Sequence, residues 1–425
     1  METAPRNSWS SIALLILGLI GILFFWGIGA LMIFTGLLNL ANGVSGLETA
    51  QPVSFGVMFG VTGFLLIPGV WLAFRQTNTR LEPDGKAGLP FAFWHVIPII
   101  LVWAAALQAG QWASTAPDPA WILLPLILPF CVLPPIWLAI GLAGRGYNFH
   151  PQWRGWNTFT IGSTLGPFLI IVFEVIVLGM LALAAILYIA LQPELMNGLE
   201  ILAAQVDLAQ TEEQIIALMG PVIANPVFIA IVLFGVAVLV PLIEELFKPL
   251  AVWLFSRQLN TRFDGFVLGA ISGAAYAVFE TGGISAAAGE DWLVLLGARG
   301  GTSLLHIATS AWMGSAIVPA IRQHKWLKLL GVYAMAIFLH GTWNTFSIFN
   351  GFGPIAEGQP GAEWIVSLGN FSAFGLGALA LIFLALIIHQ QNRFLAEHQS
   401  LLPASTSIAP STSPAESEST KTVIR

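Results

Sequence analysis

Seven side chains in this sequence have the types and spacing to do chemistry together: Glu244, Glu245, Lys248, Glu280, His306, His340 and Asn344. Glu244 and Lys248 stand i,i+4 and Glu245 and Lys248 i,i+3, so on one helix the lysine can neutralise a carboxylate. The adjacent glutamates project about 100° apart, which predicts that one faces the site while the other contacts Lys248 or a neighbouring helix. His340 and Asn344 are i,i+4 and share a helix face. A carboxylate tuned by a lysine can take a proton from water, and a histidine or a protonated carboxyl can return it. An imidazole and an amide can donate hydrogen bonds to a tetrahedral oxyanion. These are the groups that peptide hydrolysis without a covalent intermediate requires. Two histidines and a glutamate could instead ligate Zn²⁺. No H-E-x-x-H is present, and the ligands would come from separate segments. The metal-independent arrangement is therefore favoured, with no cofactor expected and zinc as the alternative.

The elements that must position these groups are membrane helices. Of 425 residues, 56% are hydrophobic and only 9% charged, whereas a soluble protein is nearer a quarter charged. That excludes an ordinary cytosolic enzyme, a disordered regulator and a nucleic-acid binder, and it predicts an all-α polytopic membrane protein. The single cysteine, Cys131, excludes an internal disulfide framework. Ten stretches are apolar enough to span: about 12–40, 55–74, 90–113, 120–143, 160–191, 226–256, 264–284, 296–321, 327–349 and 364–388. The first is read as a retained span, being too long for a signal peptide. Lys and Arg segregate to alternate loops: Arg6, then Arg75, Arg80 and Lys86, then Arg145 and Arg154, then Arg257 and Arg262, then Arg322, Lys325 and Lys328, and finally Arg393, Lys421 and Arg425. The positive-inside rule then predicts that both termini are cytoplasmic.

The segments expected are a five-span region 1–191, an extracytoplasmic linker 192–225, a core 226–350, a last loop and span 351–388, and a disordered cytoplasmic tail 389–425. Within the linker, Thr211 to Gln214 reads as a capping box opening a short amphipathic helix. No convincing internal repeat is evident.

Ionisable residues inside a bilayer are costly and mark function. Here they concentrate in spans six to nine. Counting from the nearest cytoplasmic charge at 1.5 Å per residue, Glu244 lies roughly 20 Å deep, Glu280 roughly 27 Å, His306 roughly 24 Å, and His340 and Asn344 roughly 18 and 24 Å. Four helices of alternating direction thus place their polar groups in one layer, from mid-membrane into the outer half. Small residues such as Gly269, Gly273, Ser310 and Gly314 permit close helix approach around it.

These residues also carry a family resemblance. Glu244-Glu245-Leu246-Phe247-Lys248 is similar to the E-E-x-x-K motif of PrsW-type intramembrane proteases, relatives of the CAAX-processing and bacteriocin-processing glutamate proteases. Tyr276 to Glu280 resembles their second motif, His306 the third, and His340 to Asn344 the fourth, H-x-x-x-N. The order and spacing agree over about residues 240–350. Two positions depart: Tyr276 stands for the usual Phe, and Thr281 for an Asn. The resemblance implies a metal-independent glutamate protease cutting membrane proteins. Glu244 would activate water, tuned and oriented by Glu245 and Lys248. Glu280 and His306 would assist proton transfer, and His340 with Asn344 would stabilise the oxyanion. It further implies a single-span regulatory substrate such as an anti-sigma factor, and a bacterial plasma membrane. The competing readings are a proton-coupled transporter, which also keeps mid-membrane charge, and a non-catalytic scaffold. Outside the motifs, Arg299 is expected to snorkel or to pair with Glu290 or Asp291; its position seven residues before His306 resembles the family's pattern and leaves a supporting role at the site open. Glu174 is expected to serve a local polar neighbour, and His95 to lie at the interface.

Overall fold

The protein was analysed as a computed structural model, which describes residues 8–78, 91–117, 119–149 and 151–400. Arg6, Arg80, Lys86, Lys421, Arg425 and the expected tail beyond residue 400 lie outside these. The described chain is helical throughout: α1 Ser8–Ala41, α2 Leu47–Asn78, α3 Val96–Thr115, α4 Leu124–Ala143, α5 Trp153–Ser163, α6 Leu165–Ala190, α7 Pro193–Leu208, α8 Glu212–Ile223, α9 Pro226–Leu233, α10 Val240–Phe247, α11 Leu250–Phe255, α12 Arg262–Ser285, α13 Trp292–Gln323, α14 Trp326–Ile355 and α15 Glu363–Ser400. Nine helical stretches among the described residues are long and apolar enough to cross a membrane. The tenth expected span is α14. At 30 residues it is long enough, but His340, Asn344 and its Thr and Ser residues dilute its apolar character.

α12 and α13 form the centre of the bundle, and small residues explain why. A Cβ on Gly265, Gly269 or Gly273 would collide with the carbonyls of Gly314, Ser310 and His306 in turn. The two backbones therefore approach to a distance that no larger side chain allows. The earlier helices pack around this pair. The α1–α2 hairpin sets Phe25 and Phe59 against Phe279, the residue before Glu280. From α3, Gln111 accepts from the Leu293 N–H at 2.8 Å and donates to the Glu290 carbonyl at 2.8 Å. It thereby satisfies one of the unpaired donors at the start of α13.

The described cationic loops gather at one end of the bundle. Arg145 donates to Gln391 and Asn392, and Arg322 donates to the Arg257 carbonyl. A capping box of Thr261 and Asp264 opens α12. Tyr147, in the loop before α5, donates to Asp264 at 2.7 Å. Burial, and secondarily the Asp264 carboxylate, push the Tyr147 phenol well above its ordinary value. At the opposite end, α8 is capped as expected, with the Gln214 N–H donating to the Thr211 hydroxyl. Ile223 of this helix packs with Phe349, Ala356 and Ile365.

Two expectations need correction. Residues 192–225 hold two helices, α7 as well as α8. The helical stretch expected to end near residue 388 continues to Ser400. Its last turns are tied down: Phe394 and Gln391 are buried, and the Gln391 side chain donates to the Arg145 carbonyl at 2.6 Å.

Two outcomes are expected. Gly269→Leu should destabilise the fold by about 3 kcal/mol or more through overpacking. Gly297→Ala, where an added Cβ meets nothing within 4 Å, should leave the thermal midpoint in detergent unchanged or raised. Because the Tyr147 phenol has a raised value in the folded protein, its contribution to stability is complete below about pH 10 and is lost as pH rises further. A pH series of thermal midpoints should show that decline in the wild type and a smaller one in Tyr147→Phe.

Candidate functional site

Span six is a broken helix. α9 passes into a π-helical segment, Phe234–Leu239, then α10, and the helix is interrupted again at Lys248 and Pro249 before α11. Proline at 249 supplies no N–H to continue the helical ladder. The resulting turn leaves the Lys248 carbonyl to accept from Ser272 of α12 at 2.5 Å. Upstream of the break α10 is regular as far as Lys248, whose N–H donates to the Glu244 carbonyl at 2.8 Å. Across the i,i+4 and i,i+3 spacings both glutamates reach the same ammonium: Lys248 Nζ is 2.8 Å from Glu244 Oε2 and 2.8 Å from Glu245 Oε1. Glu244, Glu245 and Lys248 are all buried.

Helices α12, α13 and α14 close the cluster. Lys248 Nζ is 2.6 Å from His306 Nδ1. An ammonium can only donate, so this nitrogen accepts, and His306 Nε2 carries the proton that it gives to Glu280 Oε2 at 2.5 Å. Arg299 completes the Glu280 end, with Nη2 3.0 Å from Glu280 Oε2. It also donates to Thr281 at 3.2 Å. On α14, His340 Nδ1 lies 2.8 Å from Glu245 Oε1 and 3.3 Å from Lys248 Nζ. His340 Nε2 is 4.0 Å from Glu244 Oε2. That gap is too long for a direct hydrogen bond, and of a length that a bridging water fills. Glu244 Oε2 has no hydrogen-bond partner beyond its ion pair with Lys248. Tyr276 supports the cluster edge-on, its ring 5.1 Å from that of His306 and 5.3 Å from Lys248 Nζ.

Six of the seven residues singled out in the sequence are thus brought into one buried network. Asn344 sits one turn further along α14. Its amide donates to the Val236 carbonyl of the π-helical segment at 2.8 Å. A π-turn disturbs the regular ladder and often marks a functional segment. A Cβ at Gly341 would collide with the Ala237 carbonyl, so α14 lies directly against this segment.

Two residues stand differently from the favoured sequence reading. Arg299 pairs with Glu280 rather than with Glu290 or Asp291, the supporting place that its spacing to His306 had left open: Arg299, Ser303 and His306 repeat at four and three residues, one polar stripe of α13. Glu174 of α6 is not a local partner. It lies within electrostatic reach of Glu244, Glu280 and Lys248, and its Oε1 is buried without a partner. No motif surrounds it, and only the packing of α6 on α10 brings it to the site.

The donor types also bear on a metal. Glu244, His306 and His340 each offer one ligand atom within 4.8 Å of the others, a set that suits zinc by chemistry. The ammonium of Lys248 is already in contact with all three residues, 3.3 Å from His340 Nδ1 in the last case. In this arrangement a metal ion would stand beside a like charge, and the side chains as placed do not fit one.

If Lys248 is the counter-charge of the cluster, Lys248→Met should cost about 3–5 kcal/mol by leaving buried carboxylates uncompensated. Unfolding midpoints in detergent measure it, and a loss below about 1 kcal/mol would show that the carboxylates do not depend on the ammonium.

Comparison with known proteins bears on the same region. Residues 151–359 match a protein family described as PrsW family intramembrane metalloprotease. The match begins before span five and so takes in Glu174. No curated protein and no solved structure matches the chain.

Proposed function

The chain belongs, through residues 151–359, to the PrsW family of intramembrane proteases, and from that premise we propose a glutamate-activated hydrolysis of membrane-protein substrates that needs no metal. The observation that carries this reading is the 4.0 Å gap between Glu244 Oε2 and His340 Nε2. A water held there contacts a carboxylate and an imidazole nitrogen. Glu244 takes its proton as the oxygen attacks the scissile carbonyl carbon. Glu244 is suited to this because the network has more carboxylates than cations. Lys248 and Arg299 face Glu244, Glu245 and Glu280, and Glu245 is held in addition by His340.

Glu245 fixes the His340 ring through Nδ1 and so directs Nε2 toward the water. Glu280, braced by Arg299, orients His306, whose Nδ1 in turn receives the ammonium. Together they hold Lys248 against Glu244. The tetrahedral oxyanion is stabilised by Lys248 and by the second N–H of Asn344, the first being engaged by Val236. Glu244 then returns its proton to the leaving amine.

The family description implies a metal. What supports the metal-independent reading is that Lys248 already supplies a positive charge to the three residues that would be ligands, and no step here passes through an ion. The transporter and scaffold readings give way because the family match covers the whole polar cluster. The Lys and Arg distribution supports the proposal that both termini are cytoplasmic, and the family resemblance supports a bacterial plasma membrane. A single-span regulatory protein of the anti-sigma class is the proposed substrate.

The test is cleavage of a panel of single-span membrane proteins in proteoliposomes. Glu244→Gln and His340→Ala are expected to lose at least about 100-fold in rate, with the folded yield unchanged. Equal cleavage by wild type and both variants would end the assignment to these residues. Chelator should leave the wild-type rate unaltered, and a loss restored by Zn²⁺ would overturn the metal-independent mechanism while leaving the protease assignment standing.

A further inference from the structure

A second polar feature lies far from the protease cluster, at the end of the bundle where the cationic loops gather. A cavity of about 330 Å³ opens there between α12, α13, α14 and α15. Arg262, Lys328 and Arg393 line it, together with Trp312, Val332 and Met335. The three cations come from three different helices, and among the described residues they outnumber the carboxylates paired with them. One carboxylate is close: Glu397, paired with Arg393 at 3.2 Å. No ion pair reaches Arg262 or Lys328 among the described residues. The Nε of Arg262 is buried without a hydrogen-bond partner, and its guanidinium lies over the Phe394 ring, 5.4 Å from the centroid. The ring holds the guanidinium in place without neutralising it.

We infer that this cavity binds the phosphate of an anionic phospholipid in the leaflet at this face. A guanidinium presents a planar fork that matches phosphate oxygens, and a lysine adds a mobile point charge. Basic pockets between membrane helices are recognised by anionic headgroups in this way. The occupant is a lipid rather than a free anion because the cations adjoin an apolar track. Met335, which lines the cavity, and Phe338 are exposed along α14, running from the cationic end toward the middle of the bilayer. Acyl chains laid on that face place the phosphate at the level of Lys328. Bound there, the headgroup ties α12, which carries Glu280, to α14, which carries His340, and to α15.

The experiment uses the full chain purified in neutral detergent. Binding of phosphatidylglycerol, phosphatidylcholine and inorganic phosphate is measured by native mass spectrometry and by the shift in thermal midpoint. Phosphatidylglycerol is expected to be retained and to raise the midpoint by a few degrees, and the other two to do neither. Lys328→Gln/Arg393→Gln should bind phosphatidylglycerol about 30-fold more weakly. Lys328→Arg/Arg393→Lys should keep the affinity, as should Arg257→Gln, a cation at the same end outside the cavity. Wild-type affinity in the double glutamine variant would overturn the site. Equal binding of phosphatidylcholine would overturn its charge selectivity. Displacement of the lipid by inorganic phosphate at equal concentration would overturn the lipid assignment in favour of a soluble anion.

Discussion

A single ammonium ion holds the polar centre of this protein together. Lys248 Nζ contacts Glu244, Glu245 and His306 at 2.6 to 2.8 Å, and the residue is almost fully buried. In an apolar surround an unpaired carboxylate or an unpaired ammonium is each prohibitive. Each is tolerable only because the other is present. The lysine has three donors, and they meet three acceptors from two helices. Around it, His306 reaches on to Glu280 and His340 to Glu245. Glu244 Oε2, beyond its ion pair with Lys248, and Glu245 Oε2 are left without a hydrogen-bond partner.

That arrangement starts from helical spacing. Lys248 follows Glu244 by four residues and Glu245 by three, so on the regular turn of α10 one ammonium stands over both carboxylates. The helix breaks only after it, at Pro249, where the Lys248 carbonyl accepts from Ser272. The π-helical segment before α10 adds an adjustment of its own, and Asn344 secures it through the Val236 carbonyl. Asn344 is therefore a structural partner of span six as well as a proposed oxyanion donor. The tight approach of α12 to α13 sets the remaining distance, because His306 reaches Glu280 across the contact that glycines make possible.

Much of this was legible in the sequence, for a physical reason. In a chain with 9% charged residues, each charge within a span stands out, and spacing along alternating helices fixes its depth. The sequence therefore located the layer, the four helices and six of the interacting groups. It did not reveal that both glutamates share the lysine at once: the i,i+3 and i,i+4 spacings allow either pair, and the packing of α13 and α14 around the ammonium brings both in. For Arg299 the nearest acidic neighbours in sequence were favoured over the site that its spacing to His306 left open, because sequence proximity says nothing of which carboxylate the packing of α12 on α13 presents. Glu174 carried no local signal, because its relation to the site exists only through the packing of α6. The continuation of α15 past residue 388 was hidden by polarity: Gln391 and Arg393 read as tail, but Gln391 is buried against Arg145.

The two polar regions, one at each level of the bundle, use the same physical contrast in opposite ways. At the Lys248 cluster the carboxylates outnumber the cations, and the excess negative charge suits Glu244 to the base's role proposed for it. At the cationic end, among the described residues, Arg262, Lys328 and Arg393 outnumber the carboxylate paired there, Glu397, and the excess positive charge suits the anion proposed for it. α12 and α14 pass through both regions. An anion that fixes their cationic ends also fixes the helices that carry Glu280 and His340. The spacing between Glu244 and His340 Nε2 then depends on how α14 is held along its whole length, and not only on the residues that touch Lys248.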